Sequence, residues 1–148
     1  MILKYDPATN PLNTIEWAFP LCECLHIAAF AFSIGTIALV DLRLLGVGLG
    51  DRSPAQLLRD TEILTLLGLA VVIASGLAIF SSDPVLYLHN SPFQWKMLGL
   101  LLAIVYNYTI HRKTVLGNPA SAGGMAVAGV SLALWFSLVL AGVFIAFV

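Results

Sequence analysis

Residues 24–40 form an uncharged and almost wholly apolar run, bracketed by Glu23 and Asp41. Three more such runs follow: 63–82 between Glu62 and Asp83, 97–111 between Lys96 and Arg112, and everything after Lys113. A helix needs about 20 residues to cross a hydrocarbon core of about 30 Å. The runs therefore predict four membrane-spanning helices, over about 15–45, 60–81, 92–114 and 121–147. The third run is short and borrows its flanks, with Lys96 snorkelling outward and His111 near the far boundary. Composition agrees, since only 10% of the chain is charged against roughly 25% in a soluble domain. The expected architecture is all-α: one domain spanning 1–148, folded as a transmembrane four-helix bundle.

The first span is unusual because it is oily yet carries Glu16, Glu23, His26, Ser33 and Asp41. Projected at roughly 100° per residue, all five fall within one arc about 100° wide. Ionisable groups facing hydrocarbon cost several kcal/mol, so such a stripe is expected to face protein, water or a cofactor. The third span has its own polar side, where Lys96, Leu100, Ala103, Asn107 and His111 keep to one face. Two polar stripes are expected to face each other across a bundle interior. Small residues give the second span a ridge of Thr65, Gly68, Val72 and Gly76, and the fourth a similar ridge from Ala122 to Ala141. Close helix approach explains both ridges.

Punctuation fits four helices. Asn13 or Thr14 can cap the first, and Pro20 lies in its opening turns, where proline costs least. Asp60 or Thr61 can begin the second, residues 81–84 end it, and Ser91-Pro92 opens the third. The segment 83–92, with His89, reads as a short amphipathic helix on the outer surface. Arg43, Arg52 and Arg59 lie in one connection and Arg112 and Lys113 in another, whereas the opposite side has only Lys4 and Lys96. The positive-inside rule then puts both termini outside, in the periplasm of a bacterial inner membrane. Trp17 and Trp95 mark the outer aromatic belt, while Trp135 falls mid-span and is expected to pack. No apolar leader segment precedes Trp17, so a cleavable signal peptide is not expected.

Cys22 and Cys24 point to different sides of a helix and cannot bridge each other. With Glu23 and His26 they form a Cys-Glu-Cys-x-His string, a minor candidate for metal against the ordinary role of buried cysteines as small hydrophobes. No hydrolase triad, phosphate loop or paired zinc motif occurs, and no basic patch suits nucleic acid. Histidines projecting into a membrane bundle are the usual means of holding haem b. Counted inward from the tryptophans, His26 lies roughly 14 Å down and His111 roughly 24 Å down. The gap strains a shared haem, and His26 with His89 is the other pairing if 83–92 folds over the outer mouth.

The string Asp41-Leu42-Arg43-Leu44-Leu45-Gly46, with His26, Gly35, Phe93-x-x-Lys96 and Asn107-x-x-x-His111, resembles an uncharacterised family of small bacterial four-span membrane proteins. More distantly the layout is similar to copper-resistance D and cytochrome b-type four-helix proteins. That resemblance implies haem, quinone or copper handling, with His26 and His111 in the ligand-like positions.

The expected function is thus a small b-type cytochrome, or the haem-holding subunit of an electron-transfer complex, partnered by other membrane or periplasmic redox subunits. The alternatives are an accessory subunit of a larger membrane assembly and a proton or metal-ion path. Glu16, Glu23, Ser33, Asp41, Lys96 and Asn107 are the expected polar interior. Asp41 and Arg43 point about 200° apart on a helix, so Asp41 continues the stripe while Arg43 faces phosphates or the second helix, and a cap or salt bridge anchoring the cytoplasmic end is the expected role.

Overall fold

A computed structural model describes residues 6–48 and 50–147; Lys4 lies outside them. After a single helical turn α1 (Pro11–Thr14) the long helix α2 covers Ala18–Leu44, and α3 covers Pro54–Ser82. The short α4 (Pro84–His89) leads into α5 (Ser91–Tyr106), a π-helical segment (Asn107–His111), α6 (Arg112–Gly117) and finally α7 (Ala122–Phe144). Three helices, Ala18–Leu44, Pro54–Ser82 and Ala122–Phe147, are long and apolar enough to cross a membrane. The chain is a helical membrane protein. Residues 91–117 are helical throughout, but the π segment divides them into three pieces.

Local chemistry sets the ends. Helix α3 begins two turns earlier than Asp60, because Ser53 accepts from the Gln56 N–H while the Gln56 side chain accepts from the Ser53 N–H. This reciprocal cap satisfies two orphan donors, and Pro54 supplies a helical φ at the first position. Ser53→Ala should therefore cost about 1 kcal/mol in a denaturant titration of the detergent-solubilised protein, with Gln56→Ala costing less. At the other end of α2, Gly46 N–H donates to Arg43 O and Val47 N–H to Leu42 O, with Gly46 at φ +79°. These are the paired bonds of a Schellman stop, which needs a left-handed residue at that place. The glycine that closes the Asp-Leu-Arg-Leu-Leu-Gly string is thus a helix terminator.

Helix α2 packs most extensively on α3 and also touches α7, which packs on α5. Two apolar clusters hold these contacts. One, in the middle, joins Phe30, Ile37, Leu69, Val72, Ala103, Trp135 and Leu138. The second joins Val40, Leu44, Leu57, Leu58, Val115 and Ala128 near the end that carries Arg43 and Arg112, here termed the arginine end. Trp17 and Trp95 stand exposed at the opposite, tryptophan end. There Phe80, Tyr87 and Phe93 cluster and hold α4 down. Burial pushes the Tyr87 phenol above its ordinary range; Glu23 and Asp83 add to that, and a hydrogen bond from Ser82 opposes it.

Candidate functional site

The middle of the α2 stripe, from His26 to Thr36, meets α3, rather than the helix after α4 as the two-stripe pattern predicts. The reason is the small-residue ridge. Gly68 lets α3 settle onto Ser33, so closely that a Cβ there would strike the Ser33 hydroxyl. One turn along, Thr36 and Thr65 share a hydrogen bond of 2.8 Å across the seam. Nearer the tryptophan end, the Cys22 thiol reaches the Ser75 carbonyl at 3.7 Å, and His26 Nδ1 lies 2.9 Å from Ser75 Oγ. The Ser75 hydroxyl gives its proton to the Val71 carbonyl at 2.6 Å.

Asp41 is the exception to this seam. It leaves α3 and meets His111 from the π segment, with His111 Nε2 lying 2.6 Å from Asp41 Oδ1. The side chains of His111 and Asp41 are 1% and 0% exposed, and 70 residues separate them in the chain. A π turn carries one extra residue per hydrogen-bonded ring and so rotates the helix beyond it, a device frequent at functional sites. Here it ends on His111, which lies inside rather than at the interface. Asp41 Oδ2 and His111 Nδ1 are buried with no partner among the described residues. Leaving such groups unpaired costs about 1–3 kcal/mol each, so packing alone gives no reason to keep them.

A narrow cleft leads to this pair. Thr61, Glu62 and Thr65 from α3 line it opposite Asn107, Tyr108 and His111, and its volume of about 10 Å³ suits one water molecule. Asn107 Oδ1 and Tyr108 Oη are also buried without partners among the described residues. At its mouth Glu62 pairs with Arg112, and both are partly exposed. Arg43, as its angle from Asp41 predicts, turns elsewhere: its Nε donates to the Arg52 carbonyl at 2.6 Å and ties down the connecting loop.

The remaining predicted residues divide by depth. Ser33 and Asn107 are buried, and Lys96 is half-buried with its ammonium 5.5 Å from the Phe30 ring centre. Glu16 and Glu23 are exposed, which corrects their assignment to the interior. They occupy the outermost turns of the stripe, where a carboxylate reaches interfacial water and needs no buried partner. His89 is exposed, with Nδ1 bonded to the Val85 carbonyl of its own helix at 2.8 Å. His26 and the Asp41 that holds His111 are 15 residues apart on α2, about 22 Å along its axis. A haem held between His26 and His111 therefore does not fit. Cys24 is exposed, and among the described residues no group of three His, Cys, Asp or Glu side chains converges to hold a metal.

Composition and period alone show Asp41 and His111 as separate polar residues. The two polar stripes place them on faces expected to oppose each other, but the particular pairing and the π turn are tertiary and leave no one-dimensional signal. No curated protein and no solved structure matches the chain. A family model, however, matches residues 16–148, and the chain belongs to that family, a family of unknown function, DUF6644.

Proposed function

We propose that the protein is a four-span bundle of the bacterial inner membrane, both termini outside, that takes up and releases a proton at the Asp41–His111 pair. The carrying observation is that pair: wholly buried, 2.6 Å across, with an atom on each member that has no partner among the described residues. An ion pair placed in a protein interior merely for stability can be replaced by apolar side chains without loss, and often with gain. Ionisable groups inside a membrane mark proton or ligand paths by default.

Access is one-sided on this reading. The cleft joins the pair to Glu62 and Arg112 at the arginine end, with Asn107 and Tyr108 along the way. Toward the tryptophan end the route is closed by Phe30, Ile37, Leu69, Val72 and Trp135. Ser33 does not bridge this block, since its hydroxyl donates to the Ala29 carbonyl of its own helix. The pair is thus a proton-loading site served from one side, rather than a pore.

Infrared difference spectra of the reconstituted protein test this. A carboxylic C=O band should follow bulk pH, disappear in Asp41→Asn, and respond more slowly in Glu62→Gln. A carboxyl signal of Asp41 that ignores bulk pH would make the pair a fixed structural contact and end the proposal.

A b-type cytochrome is the second reading, and one observation favours it. Ser75 anchors His26 through Nδ1, the outer-shell arrangement that orients a ligating imidazole. A Soret band in the purified protein that His26→Ala abolishes would establish it. A protein that stays colourless after exposure to haem removes it.

A further inference from the structure

Helices α2 and α5 both run from the tryptophan end toward the arginine end, and the Asp41–His111 contact sets them in register. Counting 15 residues back from each member of that contact reaches His26 and Lys96. The two therefore stand at one level, about 22 Å nearer the tryptophan end. Phe30 is the neighbour they share. The His26 ring stacks on it with centroids 6.3 Å apart and planes 8° from parallel, and the Lys96 ammonium sits 5.5 Å from its centre. The lysine thus turns inward, instead of snorkelling outward as its sequence position suggests. A glycine makes room for each group. An added Cβ at Gly76 of α3 would come within 3.2 Å of His26 Cε1, and one at Gly142 of α7 within 3.2 Å of Lys96 Nζ.

Among the described residues no carboxylate pairs with the Lys96 ammonium, and Ser75 engages only Nδ1 of His26. Glu23, one turn away on α2, is exposed. Neither Lys96 Nζ nor His26 Nε2 is sealed off: both residues are half-buried, and the fully buried polar atoms without partners lie elsewhere. An aromatic face offsets only part of the cost of a charge in hydrocarbon, and charges inside a membrane are ordinarily paired. We propose that Lys96 and His26 seat the phosphate group of a ligand that enters from the tryptophan end. Lys96 supplies the charge and His26 Nε2 the second contact. Lysine binds phosphate as a point charge, and a tetrahedral group offers oxygens to donors arriving from two helices. A protonated imidazole donates through both nitrogens, one to Ser75 and one to the anion. Lys96 directly follows Trp95 of the aromatic belt, the level at which lipid head groups lie. Phosphate is therefore within reach either on a lipid or free in the adjoining water.

The site shares no residue with the Asp41–His111 pair, so each reading can fail alone. Radiolabelled dodecyl phosphate, and dodecanol as its uncharged counterpart, provide the probes. Each is added to the protein in dodecyl maltoside, and the label that co-migrates with protein is counted after protein-free micelles are subtracted. The wild-type protein should retain one equivalent of dodecyl phosphate, about tenfold more tightly than dodecanol, the difference one charge-assisted hydrogen bond makes. Lys96→Met should erase the preference, whereas Lys113→Met, at the arginine end, should keep it. Should Lys96→Met fail to fold, Gly142→Val intrudes on the space of the ammonium while keeping its charge, and should lower retention of dodecyl phosphate alone. Inorganic phosphate that displaces the label in the millimolar range identifies a free phosphate as the occupant; a label that it leaves in place identifies a lipid. Equal retention of the two probes, a preference that survives Lys96→Met, or one lost equally in Lys113→Met overturns the proposal.

Discussion

Replacing His111 with leucine should lower the unfolding free energy by about 3–5 kcal/mol, and Asp41→Leu should do the same. Each substitution leaves the other member buried, with the partner it had been paired to gone. The double substitution should recover most of the loss, because two apolar side chains leave nothing unpaired. The magnitude decides what the pair is. Neutral hydrogen bonds between membrane helices contribute about 0.6 kcal/mol on average in double-mutant cycles, because the dissociated helices also find partners. A coupling energy above about 2 kcal/mol marks a contact in which charge is shared across 2.6 Å. Unfolding of the four proteins of the cycle in bicelles gives this number directly. A coupling at or below the neutral average would contradict the idea that a labile proton resides there.

The same pair shows where sequence reading stops. Some helix ends were legible, since Ser91-Pro92 opens a helix where the structure does, whereas α3 starts at Pro54 instead of Asp60 and α2 starts at Ala18 rather than after an Asn13 or Thr14 cap. Legible too was the divergence of Asp41 and Arg43, which comes from their angle alone, though not the Arg52 carbonyl that Arg43 meets. The depth of His111 was not. Counted from Trp17, Asp41 lies 24 residues in, about 36 Å, whereas His111 lies 16 residues from Trp95, about 24 Å. The two tryptophans are therefore unequal rulers, and the π segment adds a rotation that no periodicity reveals. A comparison of His26 with His111 on those rulers understates their separation by about 12 Å. Likewise the stripe on α2 is a single face in projection, yet it serves three surroundings. Glu16 and Glu23 reach the surface, His26 to Thr36 meet α3, and Asp41 meets the π segment.

Which neighbour the middle of the stripe meets depends on one residue, and Gly68→Ala should expose this. A Cβ at Gly68 would overlap Ser33 Oγ and come within 3.4 Å of both the Ala29 carbonyl oxygen and a Phe32 ring carbon. Overpacking of this kind costs about 1–3 kcal/mol. Relief by rotation is limited, because the Ser33 hydroxyl is held by the Ala29 carbonyl at 2.9 Å and the serine is wholly buried. Lipid gives helices no hydrophobic reason to associate, so close packing and polar contacts across the seam must carry it. Spreading α2 from α3 at Gly68 should therefore weaken the Thr36–Thr65 and His26–Ser75 contacts on either side as well. Two controls isolate the cause. Gly129→Ala, where an added Cβ meets nothing within 4 Å, should be neutral or stabilising by up to about 1 kcal/mol through helix propensity. Ser33→Gly in the Gly68→Ala background should restore part of the stability by removing the struck atom. Thermal unfolding of these variants in one detergent compares them directly. A Gly68→Ala protein as stable as the Gly129→Ala protein would mean that α2 and α3 do not meet along this seam.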